Sequence, residues 1–205
     1  MLDSRARKYV QPLFAVIAKL FIKLHITPRM ITVMALFLGL GSSVFFYYEL
    51  SLPAIILLWF SGLLDALDGT VARMIGKTSP FGALLDIIFD RTVEMSFIVA
   101  VALKLPESRM ACIFLLCSII FSFSIFLTVG AVVKNKKKEK FFYYQAGLAE
   151  RTETFIIFTL VMFFPTFTTK LFYLFTAMIV FTGCQRLLEA YLHFGKEQQQ
   201  LPNNL

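Results

Sequence analysis

The chain has 205 residues, of which 58% are hydrophobic and 16% are charged, and it carries a net charge of +7. Soluble domains are about 45–50% apolar and about 25% charged, so this composition excludes an ordinary soluble domain and predicts a polytopic membrane protein. The basic residues cluster in short loops, which indicates membrane orientation and anionic headgroups, not nucleic acid, as the reason for the charge.

The predicted elements are all helices, which gives an all-α integral membrane fold. Over 3–24, apolar residues recur at helical spacing opposite arginines and lysines, a pattern typical of an amphipathic helix on the membrane surface. Thr27-Pro28 then breaks the chain and begins the first of six transmembrane helices, each near the ~20 residues that a bilayer requires. These spans are expected at about 30–48, 52–73, 82–103, 110–133, 152–167 and 170–193, within one membrane domain over 1–196 that precedes a polar tail over 197–205.

The positions of the basic residues predict the orientation of the spans. Such residues are frequent in the amino-terminal segment and in the second and fourth loops, whereas the other three loops hold only Lys104, Arg109 and Lys170. Because cytoplasmic loops carry an excess of lysine and arginine, both termini and the loop over 74–81 are expected on the cytoplasmic side.

Four aspartates lie in or beside apolar runs that are long enough to span a bilayer: Asp65, Asp68, Asp86 and Asp90. Ionisable groups at that depth are energetically costly and usually mark a functional site. The spacing of three residues in the first pair and four in the second places each pair on one helix face. The short turn between the two helices predicts that they are antiparallel neighbours whose acidic faces meet.

Four acids of one sign repel each other, so a cation must gather them. A pair of divalent metal ions suits such oxygen ligands, and two ions held in this way can activate an attacking oxygen and stabilise a leaving one. Gly69 leaves room for a ligand beside Asp68, and Arg73 could reach a phosphate held by the ions. A single intramembrane acid is often a hydrogen bonder between helices, but four at paired spacings favour a metal site at the cytoplasmic face.

These residues also carry a resemblance to a known family. Eight positions have the spacing of the signature of the CDP-alcohol phosphatidyltransferases, and all eight match. They are, in order, Asp65-x2-Asp68-Gly69-x2-Ala72-Arg73-x8-Gly82-x3-Asp86-x3-Asp90. The six spans, the surface helix before them and Thr27-Pro28 are similar to family features as well.

The resemblance implies a reaction and a set of roles. In this family the hydroxyl of an alcohol acceptor attacks the lipid-side phosphorus of a CDP-linked lipid, usually CDP-diacylglycerol, and CMP leaves. The four aspartates would hold two Mg²⁺ or Mn²⁺ ions, and Asp90 would also be the catalytic general base. Gly69 and Arg73 would bind the nucleotide, with further contacts from Thr32, Thr78 and Ser79. A homodimer is a further family expectation.

A second resemblance concerns the acceptor. The segment GLAERTET over 147–154 resembles the GxxERPER-like segment of prokaryotic enzymes that use inositol phosphate, although Thr152 and Thr154 replace its proline and second arginine. Thr182, Gln185 and Arg186 resemble a T-x2-QR pattern of the family, which adds another arginine. We therefore expect a phosphorylated polyol, either inositol phosphate or glycerol phosphate, although these basic residues could instead cap helices or bind headgroups. The candidate acceptor-binding residues are Lys134, Arg151 and Arg186.

Two alternatives stay open at this point. A CDP-choline or CDP-ethanolamine phosphotransferase shares the same motif and differs in its acceptor. A divalent-cation transporter belongs to a different class and would also use intramembrane acids. A transporter predicts acids along a path through several spans, whereas the aspartates of this chain cluster near one membrane face.

Overall fold

The computed structural model describes residues 14–134 and 151–200, with side chains over 14–132 and 151–192. The described residues are helical, and no strand occurs among them. A short helix, α1, covers 14–23, and two single 3₁₀ turns, Pro106–Ser108 and Pro165–Phe167, precede the fifth and seventh helices. The other helices are α2 (Pro28–Tyr47), α3 (Ser51–Met74), α4 (Pro80–Lys104), α5 (Arg109–Lys134), α6 (Arg151–Phe163) and α7 (Thr168–Gln200).

Four of these segments are long and apolar enough to cross a bilayer, which makes the chain a multi-pass integral membrane protein. They are Pro28–Tyr47, Ser51–Met74, Pro106–Val132 and Pro165–Leu192. Helix α4 has 25 residues but carries four charged side chains between Asp86 and Glu94, and the described part of α6 has 13 residues. Thirteen helical residues are about 20 Å long, which is less than the ~30 Å hydrocarbon core. The count of six spans therefore stays a prediction for α4 and α6, as does the surface placement of α1.

The starts of α2 and α4 follow from two hydroxyl-proline pairs. The Thr27 hydroxyl accepts a hydrogen bond from the Met30 amide at 3.3 Å, and Pro28 is the first helical residue. Ser79 caps α4 in the same way, accepting the Gly82 amide at 3.0 Å. Because a capping oxygen satisfies a free amide and proline needs no amide partner, each pair begins a helix at the proline. Both helices thus start two residues before the predicted bounds.

The fifth predicted span, 152–167, is longer than the helix that the structure has there. Helix α6 ends at Phe163, and Pro165 begins a 3₁₀ turn instead. Proline has no amide proton and disfavours a helical conformation in the residue before it, which accounts for the early end. Helix α7 continues to Gln200, past the predicted end at 193.

Helix α2 packs against both α3 and α4, so it is the partner that the two acidic helices share. Hydroxyl groups support this packing: Ser61 donates to the Ala35 carbonyl and Ser42 to the Ala54 carbonyl, both at 2.7 Å. Small residues and serines at helix contacts are typical of membrane proteins, in which backbones must approach closely. The sequence predicted that α3 and α4 are direct neighbours. In the structure each of these helices packs more closely on α2 than on the other.

Two apolar clusters fill the bundle. The larger cluster takes residues from every helix from α2 to α7. It includes Phe97 and Phe158, whose rings stack with centroids 4.3 Å apart. The smaller surrounds Ile31 and Leu67, and α1 joins it through the fully buried Ala18. The described part of α1 therefore packs on the same end of the bundle as Asp68, which follows Leu67 on α3.

The close approach of α2 to its neighbours gives a first prediction. A methyl group added at Gly39 would overlap the Val93 side chain and lie 3.0 Å from the Ser61 hydroxyl, whereas at Gly41 it would meet only Leu57 at 3.5 Å. Overpacking costs about 1–3 kcal/mol, while alanine in place of helical glycine stabilises by up to about 1 kcal/mol. We expect Gly39→Ala to lower the midpoint of thermal unfolding in detergent and Gly41→Ala to leave it unchanged or raise it. Equal shifts for the two variants would contradict the packing described.

Candidate active site

Three of the four aspartates converge in the space between α3 and α4. One carboxylate oxygen from each of Asp65, Asp68 and Asp86 lies within 4.8 Å of the other two. Oxygens at such separations fit around a single hard divalent cation, and all three donors are of the type that Mg²⁺ and Mn²⁺ prefer. The cluster is thus able to hold a divalent ion.

Asp68 is the most buried of the three and has a hydroxyl partner. Its Oδ2 accepts a hydrogen bond from Thr32 on α2, and the same hydroxyl lies 3.0 Å from the Pro28 carbonyl oxygen. A threonine hydroxyl has one proton, so it can serve the carboxylate or the carbonyl but not both fully. The sequence placed Thr32 in the nucleotide pocket, and the structure shows it in contact with a predicted metal ligand.

Asp90 joins the cluster through a cation supplied by the chain itself. Arg151, the first described residue of α6, forms ion pairs with Asp65 and with Asp90, and the Nη1–Oδ1 distance to Asp90 is 2.6 Å. Its guanidinium also lies over the Phe155 ring, 5.4 Å from the centroid. The sequence assigned Arg151 to the acceptor, and the structure places it among the acids.

Four of the residues expected to bind the nucleotide lie in the last turns of α3 or in the linker between α3 and α4. Arg73 is exposed at the end of α3, and its Nη2 donates to the Thr70 hydroxyl at 3.2 Å. A side chain at Gly69 would begin 3.3 Å from the Arg73 guanidinium, so glycine keeps the space beside that arginine open. Ser79 caps α4 and Thr78 is exposed in the linker before it.

A cavity of about 310 Å³ adjoins the acids, with Asp90 and Arg151 in its wall. Arg186 from α7 lines it too, so two of the three predicted acceptor residues share one cavity with the predicted base. The side chain of Lys134 lies outside the described residues.

The cavity also contains residues that sequence reasoning did not assign to a site. Ser122 from α5 and Thr154 from α6 line it, and so does the buried Glu94, which forms an ion pair with Arg91. Glu94 follows Asp90 by four residues and therefore lies on the same helix face, a signal that the sequence does contain. Thr154 stands at the second-arginine position of the segment over 147–154, whereas no pattern in the sequence identifies Ser122, because nothing predicts which face of α5 meets the cavity.

Comparison with known proteins bears on this arrangement. The family model for CDP-alcohol phosphatidyltransferase matches residues 25–185, a range that includes all four aspartates and Arg151. The inner membrane protein YnjF of Escherichia coli is 30% identical over 98% of this chain and 100% of its own length. The phosphatidylinositol phosphate synthase of Corynebacterium glutamicum is 32% identical over 77% of this chain and 72% of its own.

Solved structures of the phosphatidylinositol phosphate synthase of Mycobacterium tuberculosis share the fold. Its complex with manganese and citrate has a TM-score of 0.72 at 21% identity, covering 87% of this chain and 88% of that one. A structure of the same protein with CDP-DAG bound has a TM-score of 0.69 at 22% identity, covering 88% of this chain and 94% of that one.

The buried contact between Thr32 and Asp68 gives a second prediction. Thr32→Val keeps the shape of the side chain but removes the proton donated to the carboxylate, which should cost about 1–3 kcal/mol of stability without metal. A divalent ion that binds Asp68 would replace the lost partner, so Mn²⁺ should narrow the difference in unfolding midpoint between variant and parent protein.

Thr92→Val is the matched control, because Thr92 donates only to the Ile88 carbonyl of its own helix, at 2.8 Å. Its midpoint should respond to Mn²⁺ as the parent protein does. A Thr32→Val deficit that Mn²⁺ leaves unchanged would show that the hydroxyl does not act through the acid cluster.

Proposed function

The chain belongs to the CDP-alcohol phosphatidyltransferase family, and from this membership we propose that the acid cluster and the cavity beside it form the active site. The protein is a membrane enzyme of phospholipid synthesis. It transfers the phosphatidyl group of a CDP-linked lipid to an alcohol acceptor and releases CMP.

The observation that carries the assignment is the convergence of Asp65, Asp68 and Asp86 within 4.8 Å, with Asp90 beside them. These four carboxylates would hold two divalent ions, Mg²⁺ or Mn²⁺. When bound, such ions neutralise charge on the phosphate oxygens and make an acceptor hydroxyl more acidic. Gly69 and Arg73, at the open end of α3, are positioned for the diphosphate of the donor, and Thr32, Thr78 and Ser79 complete the proposed nucleotide-binding set.

Asp90 is the proposed general base. It lies in the wall of the cavity and also beside the acid cluster, so a hydroxyl in the cavity and a phosphate on the cluster would meet at this residue. Its carboxylate takes the proton of the acceptor hydroxyl, and the hydroxyl oxygen forms a bond to the lipid-side phosphorus. The bond from that phosphorus to the bridging oxygen breaks, and CMP leaves with the electron pair.

The cavity favours a small, water-soluble, anionic acceptor. A volume of about 310 Å³ is at the lower end for ligand pockets and suits a polyol phosphate. Arg151 and Arg186 in its wall are suited to a phosphate group. We therefore propose a phosphorylated polyol, either inositol phosphate or glycerol phosphate, with Lys134 as a further candidate contact. The name of the Corynebacterium relative supports this choice.

The same cavity argues against an enzyme that joins CDP-choline or CDP-ethanolamine to diacylglycerol. Its acceptor would be a lipid with two acyl chains, which requires a larger and less charged pocket than the one beside Asp90. A cation transporter is excluded by membership of the family, since the residues of the family motif serve phosphatidyl transfer.

We also propose the placement of the enzyme in the membrane. The bias of basic residues supports a cytoplasmic active site and cytoplasmic termini, with six spans in one domain over 1–196. Arg73 and the linker that follows it stand at that end of α3, where a soluble acceptor and the headgroup of a lipid donor can meet. A homodimer remains a proposal from the family.

The role of Asp90 gives a third prediction. Asp90→Asn should reduce CMP release from CDP-diacylglycerol by at least about 100-fold, because a general base contributes about 10²–10⁴ in rate. CMP release is measured with a panel of acceptors in the presence of Mg²⁺ or Mn²⁺, and chelation of the ions should abolish it reversibly. Glu107→Gln, an acid-to-amide change in the α4–α5 connection, is the control and should leave the rate unchanged. Normal turnover by Asp90→Asn would refute the base assignment.

The acceptor assignment gives a fourth prediction. Hydrogen bonds to charged groups contribute about 1.5–3 kcal/mol, so Arg186→Gln should raise KM for a phosphorylated acceptor by about 10- to 100-fold. The KM for CDP-diacylglycerol should change little, because Arg186 lines the acceptor cavity. Arg109→Gln, at the start of α5, serves as the matched control. If inositol or glycerol without phosphate supports turnover as well as the phosphorylated forms, the proposed acceptor class is wrong.

A further inference from the structure

Arg151 contacts two groups of residues with different proposed tasks. It forms ion pairs with Asp65 and Asp90 in the acid cluster, and it also lines the cavity that Arg186 lines. One long side chain at the beginning of α6 therefore stands at the boundary between the proposed metal centre and the proposed acceptor site.

The ion pair with Asp65 competes with a divalent ion. Asp65 is one of the three aspartates whose oxygens lie within 4.8 Å of one another, so its carboxylate is shared between that group and the guanidinium. Several carboxylates at this depth are strongly unfavourable without a positive charge nearby. In the described structure Arg151 provides that charge, and a divalent ion would provide the same compensation more strongly.

We infer that Arg151 is an exchangeable counter-cation, which holds the acid cluster together before metal binds and is released into the acceptor cavity when metal binds. This inference rests on the proposed function. Arg151 thus becomes available to an anionic acceptor only after the cluster is loaded. Because such coupling is reciprocal, an acceptor phosphate that binds Arg151 also favours metal binding. Arg151 is then a positioning residue that sets the order in which the site is assembled.

The structure contains a natural reporter for this movement. The guanidinium of Arg151 lies over Phe155, and the Phe155 ring meets Trp59 edge to face with centroids 6.0 Å apart. The Trp59 indole also donates to the Thr159 hydroxyl of α6 at 3.1 Å. Trp59 is the only tryptophan of the chain, so its fluorescence reports on the surroundings of Arg151 without any label.

The fifth prediction concerns metal affinity, measured on the full chain in detergent with neither donor nor acceptor present. Free Mn²⁺ is followed by electron paramagnetic resonance during titration. Arg151→Gln should bind Mn²⁺ about tenfold more tightly than the parent protein, within the usual range of coupling between two ligands. Arg151→Lys, which keeps the charge, should lie between them, and Arg109→Gln should match the parent protein.

An unchanged or weaker Mn²⁺ affinity in Arg151→Gln would overturn the inference that Arg151 exchanges with metal. A parent protein that binds no Mn²⁺ would instead refute the metal site, and with it the proposed function. The two failures are therefore distinguishable.

A measurement on the parent protein keeps the inference testable even if the glutamine variant does not fold. Mn²⁺ should change the Trp59 emission with the same midpoint as metal binding, because Arg151 leaves the Phe155 ring. Mg²⁺ should change the Trp59 emission in the same way. Because Mg²⁺ is diamagnetic, that result would exclude paramagnetic quenching by Mn²⁺ as the cause. Saturable Mn²⁺ binding with no change of emission under Mg²⁺ would overturn the proposed release of Arg151.

Discussion

The repulsion between carboxylates inside a membrane protein is the constraint on which the rest of this structure depends. Four acids on two helices would separate unless other groups compensated their charge and hydrogen-bonding demand. The chain supplies two such groups from outside the acidic helices: the Thr32 hydroxyl for Asp68 and the Arg151 guanidinium for Asp65 and Asp90. The site is therefore built from α2 and α6 as much as from the helices that carry its acids.

Helix α2 has a double role in this arrangement. Its small residues allow α3 and α4 to approach it closely, and its Thr32 contacts a carboxylate directly. The hydroxyls of Ser42 and Ser61 bind backbone carbonyls across the contact and hold the register of α2 against α3. Because the register of α2 decides where Thr32 lies, packing far from the acids helps to set the geometry of Asp68.

The sequence predicted well those features that depend on neighbouring residues. Thr27-Pro28 marks the beginning of α2, and the pairing of acids on each helix follows from helical spacing, whereas α4 begins at Pro80, two residues before its predicted start. It did not predict that Arg151 would reach Asp65, since 86 residues separate them and no periodicity shows which helices pack together. The apolar run that continues to Phe167 predicts a longer span than α6, whereas Pro165 is consistent with its end at Phe163.

The proposed role of Asp90 would account for how one enzyme can use substrates of such different solubility. The donor is a lipid and stays with the bilayer, whereas the proposed acceptor is a water-soluble anion. A residue in the wall of a small cavity and next to the acid cluster can contact both without either leaving its own phase. The arginines in that wall raise the local concentration of an anion beside the membrane. The positive charge of Arg151 also pairs with Asp65 and Asp90, and this pairing allows the acids to remain close together.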